Sequence, residues 1–246
     1  MLSVIIITKN EAEHIGRCLS SISWADEIIV FDSGSSDDTV SICESFGAQV
    51  HITDWPGFGP QKQRALDKAT QPWVLSLDAD EYVDDKLTAV IKKAIADNQA
   101  DGFQIPRLSS YCGRNIHHAG WWPDHVLRLF KRDKGCFTQD VVHETIQVSG
   151  KILTLTAPIM HEAFVDPDEV LSKINQYSAL GAKKLFANGQ TSNLSVAIFK
   201  GIWTFFRCYI IQAAFLDGPE GLMLAISNAE GTYYKYLKLR QLHRQK

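Results

Sequence analysis

The sequence predicts an α/β protein whose N-terminal part is a doubly wound parallel sheet, and three observations predict it. Near-continuous apolar runs at Leu2–Thr8, Glu27–Phe31, Gln49–Ile52 and Trp73–Leu77 alternate with helical stretches, the pattern of parallel strands covered on both faces. Three of those runs end in acidic or polar clusters: Thr8-Lys9-Asn10-Glu11, Asp32-Ser33-Gly34-Ser35 and Asp78-Ala79-Asp80-Glu81. The 246 residues, 45% of them apolar, suffice for one sizeable core or for one domain with an appended segment.

The elements follow in order. Met1–Ile7 has the apolar character of a leader, yet no basic segment precedes it and Lys9-Asn10-Glu11 cuts it short, so it is expected to be a buried first strand. Helical stretches are expected from about Glu11 to Ser21, Asp37 to Phe46 and Pro60 to Ala69. The second opens on the capping chemistry of Ser36-Asp37-Asp38-Thr39 and stops at Gly47; a fourth runs from about Asp84 to Asp97. After Gly102 the pattern changes to short strand-like pieces (Phe103–Pro106, Val126–Phe130, Ile152–Leu155) between loops rich in Trp, His and Gly. Helical spacing returns from Asp168 to Phe186.

Val196 to Leu216 is a long apolar stretch interrupted only by Lys200 and Arg207. A membrane span wants about 20 residues with few or no charges. The reading favoured is therefore a segment lying in a membrane interface, with a span and a buried core helix as alternatives.

Charge is divided along the chain. Residues 1–169 hold 15 basic against 25 acidic side chains, whereas residues 170–246 hold 10 against 3, and Val170 to Leu216 contains no acidic residue. An acidic body followed by a basic, aromatic quarter is unlike a nucleic-acid binder and suits contact with anionic lipid. The terminal run Lys235-Tyr236-Leu237-Lys238-Leu239-Arg240 would add about 1 kcal/mol per basic residue near such a surface. The five cysteines (Cys18, Cys43, Cys112, Cys136, Cys208) are odd in number and nowhere spaced as Cys-x-x-Cys, which argues against a disulfide framework or a zinc ribbon and suits a reducing compartment.

In open α/β sheets ligands sit outside the carboxyl ends of the strands, so three acidic endings facing one crevice would form a nucleotide and metal site. Asp78 and Asp80 stand two apart, and strand geometry would point both the same way if the strand persists that far. Two hard oxygen ligands suit Mg²⁺ or Mn²⁺ when a diphosphate and water complete the shell; the alternative is an acidic turn that caps the next helix. Asp32 could hydrogen-bond a base or ribose while Gly34 lets the backbone approach, or the cluster could be turn chemistry alone. Thr8, Asn10 and Glu11 would complete a base pocket. Lys62 and Arg64 face phosphate or pair on a surface helix. Trp121 and Trp122 offer flat faces for a sugar ring or pack in the core.

The series Val4–Glu11, Asp32–Thr39, Lys62 with Arg64-Ala65, and Leu77–Glu81 resembles the GT-A glycosyltransferases of family 2 over about the first 100 residues. The later pieces Trp122-Pro123-Asp124, Arg128-Leu129-Phe130, Val142-His143-Glu144 and His161 resemble the branch containing the lipopolysaccharide inner-core glucosyltransferases. The resemblance implies a Rossmann-like nucleotide-binding sheet with a mixed acceptor half and a basic helical C-terminal segment. The implied divisions are a catalytic domain at 1–165, split into a nucleotide-sugar half at 1–101 and an acceptor half at 102–165, and the segment 166–246.

Inverting transfer from a nucleotide sugar is the implied activity, with UDP-glucose the favoured donor and a heptose of a lipid-linked inner-core oligosaccharide the acceptor. The expected donor-binding residues are Thr8, Asn10, Glu11, Asp32, Ser33, Lys62, Arg64, Asp78 and Ala79. The expected metal ligands are Asp80, Asp78 and His161. A carboxylate must take the acceptor proton; the family often supplies it from a Glu-Asp pair, and here Glu144, beside His143, is the first candidate and Asp124 the second. The expected location is the cytoplasmic face of the inner membrane, with the protein held peripherally.

Alternative readings are transfer to a polyprenyl phosphate or another cell-envelope glycan, and a sugar-nucleotide-binding membrane scaffold without turnover. A nucleotidyltransferase is disfavoured because no Gly-rich, Arg-containing loop follows the first strand. A dehydrogenase is disfavoured because no Gly-x-Gly-x-x-Gly stands there.

Overall fold

The computed structural model describes residues 1–138 and 145–244. They form two compact units: Met1–Arg107 with Asp124–His161, and Leu108–Pro123 with Glu162–Lys246. The sequence places its boundary at 165/166, whereas the chain passes between the units three times, at 107/108, 123/124 and 161/162.

The first unit is built on β1 (Leu2–Thr8), β2 (Glu27–Asp32), β3 (Gln49–Ile52) and β4 (Trp73–Asp78), all parallel and ordered β3-β2-β1-β4. Helices α1 (Ile15–Ser21), α2 (Thr39–Ser45), α3 (Phe58–Lys68) and α4 (Asp85–Asp97) connect and cover them. Alternate residues of β1 explain the double winding. Val4 and Ile6 join Ile15, Leu19, Leu87 and Ile91 in one cluster, while Ile5 and Ile7 join Ile29, Ala65, Leu66 and Phe130 in another. Both faces of the strand are therefore in core, and each fully buried Ile or Leu contributes about 1.5–3 kcal/mol.

The first strands match the expected apolar runs, whereas α1 and α2 start later than expected, at Ile15 and Thr39. At α2 the capping residue Asp38 makes no side-chain cap bond; Asp37 takes the Thr39 N–H instead, at 3.1 Å. At α4 the expected chemistry is present, with Asp84 Oδ1 accepting from the Leu87 N–H at 2.7 Å.

The sheet continues past β4 with antiparallel β8 (Asp124–Lys131) and then β6 (Gly102–Tyr111). Two-residue β5 (Glu81–Tyr82) pairs antiparallel with β12 (Ile159–Phe164), setting His161 opposite Glu81. Short strand β11 (Ile152–Thr154) pairs with β6, and β9 (Gly135–Phe137) pairs with β10 (Ile146–Val148) as a hairpin.

The second unit contains β7 (Arg114–Asn115), which pairs with the end of β6, and three long helices: α5 (Pro167–Ala187), α6 (Leu194–Phe206) and α7 (Gly218–Arg244). Its core gathers Tyr111, Ile116, Val170, Cys208, Ala214 and Leu224. The apolar stretch 196–216 is not one continuous helix. After α6 it passes through a wide π turn at Arg207–Ile211, and the left-handed Ala213 (φ 56°) turns the chain back into a short 3₁₀ segment, Ala214–Asp217. Closeness of α6 to α7 comes from Gly201, where an added Cβ would lie 3.2 Å from Tyr233 Cβ and 3.4 Å from the Ala229 carbonyl.

Candidate active site

A cavity of about 490 Å³ opens at the carboxyl ends of β1 and β4, where the strand order changes direction. Ile7, Thr8, Lys9 and Glu11 line it from the end of β1; Asp78, Ala79 and Asp80 from the end of β4; Trp55, Phe58 and Lys62 from the approach to and first turns of α3; and His161 from β12. The pairing of Ile7 with Asp78 across β1 and β4 puts these two strand ends side by side. Thr8 is 5% exposed and its buried hydroxyl has no hydrogen-bond partner among the described residues, a cost that a bound ligand would remove.

The two aspartates have different partners. Strand β4 ends at Asp78, so the period-2 geometry does not carry to Asp80, and the two side chains go to different partners. Lys62 Nζ lies 2.8 Å from Asp78 Oδ1, and Arg128 Nη2 donates to Asp78 Oδ2. The same Arg128 nitrogen is 2.7 Å from Glu81 Oε1, and Arg107 Nη1 is 3.4 Å from that oxygen. Arg107 in turn binds Asp124 Oδ2 through Nη2 at 2.6 Å and Nε at 3.0 Å.

The result is an alternating ladder of three cations and three anions: Lys62, Asp78, Arg128, Glu81, Arg107, Asp124. Glu81 at its middle is fully buried and Arg128 is 6% exposed. Burial alone would raise the Asp78 carboxyl, but Arg128 and then Lys62 outweigh it and hold Asp78 well below its ordinary range. Asp78, one of the expected metal ligands, has both carboxylate oxygens facing cations in this structure. Asp80 stands outside the ladder, its Oδ2 3.3 Å from His161 Nε2. The pairing of β12 with β5 is what delivers His161 there.

Other expected residues have local partners. Asp32 is fully buried; its Oδ1 accepts the Gly34 and Ser35 N–H groups at 2.9 and 2.8 Å, and its Oδ2 accepts the Ser35 hydroxyl. In this structure it closes its own turn, the turn-chemistry reading, with Gly34 at φ 80°. Asn10, at φ 55°, takes the Ser36 N–H at 2.8 Å and staples the first loop to the second. Ser33 accepts from the buried Gln61 amide at 3.2 Å. Arg64 is a surface residue paired with Asp54 at 2.7 Å, so of the two donor-binding cations expected on α3 only Lys62 lines the cavity. Asp124 belongs to the ladder. Glu144 and His143 lie outside the described residues.

Sequence reasoning missed Trp55 and Phe58, whose rings meet edge-to-face at 4.8 Å and are both about two-fifths exposed at the cavity wall. Their signal was the aromatic pair flanking Pro56-Gly57. It also left Glu81 and Arg107 without roles. The Cys18 thiol lies buried beneath the site, its Sγ 3.7 Å from the Asp78 carbonyl, and burial, reinforced by Glu81, Asp80 and Asp78, pushes it well up, so it stays protonated. Among the described residues no group of three or more His, Cys, Asp or Glu side chains is arranged to hold a metal.

A parallel sheet with an acidic, cation-laced crevice at its switch point defines an α/β enzyme site for an anionic ligand. The model of Glycosyl transferase family 2 matches residues 3–148, and the chain belongs to that family. It is 30% identical to the "Lipopolysaccharide core biosynthesis glycosyltransferase LpsC" of Rhizobium meliloti, over 98% of this chain and 93% of that protein. To an uncharacterized glycosyltransferase of Rickettsia prowazekii it is 31% identical, over 98% and 87%. Among solved structures, S. aureus TarS 1–349 in complex with UDP superposes with a TM-score of 0.48 at 16% identity, over 99% of this chain and 91% of that one.

Proposed function

We propose that this glycosyltransferase is an inverting enzyme that moves a hexose, glucose from UDP-glucose being the favoured donor, to a heptose of a lipid-linked lipopolysaccharide core oligosaccharide. The observation that carries the donor part is the separation of charge at the end of β4. Asp78 is neutralised by Lys62 and Arg128, while Asp80 stands with His161 on the cavity wall, beyond the ladder. The acceptor part is supported by the full-length similarity to LpsC.

A divalent cation fits this arrangement at Asp80 and His161. An oxygen and a nitrogen donor already 3.3 Å apart need only diphosphate oxygens and water to complete a Mg²⁺ or Mn²⁺ shell. When bound, the ion would offset charge on the departing diphosphate. The protein's own residues do the rest. Lys62 supplies a buried ammonium on the donor side, Trp55 and Phe58, perpendicular to each other, offer an aromatic face and an edge to the base, and Thr8 has a hydroxyl without a partner among the described residues. In the transfer step the acceptor hydroxyl oxygen bonds to C1 as the C1–phosphate oxygen bond breaks, and the hydroxyl proton passes to a carboxylate. Glu144 is assigned that proton. Asp124, the second candidate, has Oδ2 engaged twice by Arg107.

The class is tested by thermal shift. UDP with Mn²⁺ at 100 times its Kd is expected to add about 2.7 kcal/mol, or roughly 5–10 °C in Tm for a chain of this size. Stabilisation by NAD and not by UDP with Mn²⁺ would overturn the reading.

The C-terminal unit is assigned a seat on the anionic cytoplasmic leaflet. Leu194–Ile211 is long and apolar enough to cross a membrane, with mean hydropathy 1.5, and only 17% of it is buried. Phe199 and Ile202 are two-thirds exposed, and Trp203, Phe206, Ile211 and Leu216 continue the apolar surface. The reversal at Ala213 favours lying in the interface over spanning it. Phe199→Ser with Ile202→Ser is expected to weaken co-sedimentation with phosphatidylglycerol vesicles at least about tenfold, since each side chain removes about 1.5–3 kcal/mol of apolar transfer. Undiminished co-sedimentation would refute the assignment.

A further inference from the structure

A second cavity, about 260 Å³, lies wholly within the C-terminal unit, in the seam between α5 and α7. The α7 residues that line it, among them Leu224, Ser227, Asn228, Gly231 and Lys235, recur every three to four positions and so occupy one face of the helix. The α5 positions Val170, Lys173, Ile174 and Tyr177 do the same. Two long helices packed along one another normally fill such a seam with interdigitated apolar side chains. Here α7 presents a hydroxyl, an amide and a glycine instead, and the seam stays open.

Its floor is aromatic. Trp121 and Phe164 stack with ring centroids 6.1 Å apart and planes 25° apart, and Tyr111 meets Trp121 edge-on at 6.2 Å. The Tyr111 hydroxyl is fixed by Ser227 at 2.8 Å. No acidic residue is among those lining the cavity. Lys173 is compensated by Glu169 at 2.7 Å, whereas Lys235 makes no ion pair among the described residues. A cavity of this size falls just under the range for drug-sized ligands, so it holds one ring and not an oligosaccharide.

We infer that this seam is a binding site for a single sugar ring carrying a phosphate. The rings of Trp121 and Phe164 form the apolar floor for the C–H face of the sugar. Ser227, Asn228 and Thr232 supply hydroxyl and amide groups for its hydroxyls, and Lys235 supplies a point charge for the phosphate. In the proposed reaction such a ring belongs to the glycan acceptor, and that placement rests on the acceptor reading above; the binding itself does not.

The test is saturation-transfer NMR on the full chain with glucose 6-phosphate, glucose, inorganic phosphate and glycerol 3-phosphate. Glucose 6-phosphate is expected to bind at least tenfold more tightly than the other three, and excess UDP with Mn²⁺ is expected not to displace it. Gly231→Leu fills the seam. An added Cβ there meets only Ile174, at 3.9 Å, and the variant is expected to lose sugar-phosphate binding while keeping the UDP thermal shift. Lys235→Met keeps the stem and is expected to erase the preference over glucose.

Binding displaced by UDP, or surviving Gly231→Leu, would overturn the site. Glycerol 3-phosphate matching glucose 6-phosphate would overturn ring recognition in favour of a lipid headgroup, and saturation of none of the four probes would leave the seam a water-filled gap. Because no transfer is measured, failure of the acceptor reading leaves this result standing, and the reverse holds too.

Discussion

Replacing Asp80 by alanine is expected to lower sugar transfer about 10³-fold, the scale of losing one preorganised electrostatic group, while leaving stability within about 0.5 kcal/mol. Asp80 lies outside the ladder, its side chain is 28% exposed, and the partner the structure shows for it is His161, itself 17% exposed. Its removal therefore strands no buried charge. The variant should also lose the Mn²⁺-dependent part of the UDP thermal shift. His161→Ala should show the same loss in milder form, because one ligand of the pair remains. Transfer by Asp80→Ala at more than a tenth of the native rate would end the assignment of the metal to this pair. A thermal shift by UDP alone, with no gain from the ion, would end it independently.

Much of the frame behind that prediction was legible. The run Leu2–Thr8 is a strand to the residue, because a parallel strand buried on both faces leaves uninterrupted apolar spelling; Gln49–Ile52 is one too, although it is an edge strand with exposed ends and Gln49 and His51 among its four residues. Strand β6 was not legible at its true length. It runs through Gly102–Tyr111, but Gln104, Arg107 and Ser110 break the apolar run every third residue, and Pro106 reads as a strand breaker. The reversal at Ala213 had no signal at all, since alanine is the best helix former and gives no warning of a left-handed turn.

At the site, the sequence located the three strand ends but not the division of labour among their carboxylates. Whether Asp32 faces a ligand or its own turn depends on a Ser35 hydroxyl three residues on, and either outcome has the same spelling. Whether Asp78 binds a metal depends on Arg128, fifty residues away, and on Lys62. Glu81, Arg107 and Asp124 come from three separate elements, and nothing local to any of them announces the ladder. Trp55 and Phe58 were passed over because an aromatic pair in a loop is as often packing as recognition.

Arg128→Met is expected to do the opposite of Asp80→Ala: it should destabilise the protein by about 3–5 kcal/mol, the scale of breaking a buried pair from one side. Glu81 is fully buried, and the substitution leaves it only Arg107 at 3.4 Å, while Asp78 keeps Lys62 alone. Urea unfolding measures the loss, and a fall below about 1 kcal/mol would show that the ladder contributes no net order. Adding Glu81→Gln should recover part of it, because the amide oxygen can still accept the Asp78 N–H bonded at 3.0 Å while the stranded charge is gone.

The two variants also differ in acid. A carboxyl held below its ordinary value in the folded state contributes stability that is complete above its unfolded pKa, about 3.9, and that disappears as pH falls through the lower folded value. For Asp78 that loss lies at strongly acid pH because Arg128 and Lys62 outweigh its burial. Without the guanidinium the folded value moves back up, so Arg128→Met should unfold at a higher pH than the native chain. Asp80→Ala leaves the pairing of Asp78 with Arg128 and Lys62 intact, so this source of acid sensitivity stays as in the native chain. An unchanged acid midpoint for Arg128→Met would mean that Lys62 alone holds Asp78 ionised, and the guanidinium would then be there for Glu81.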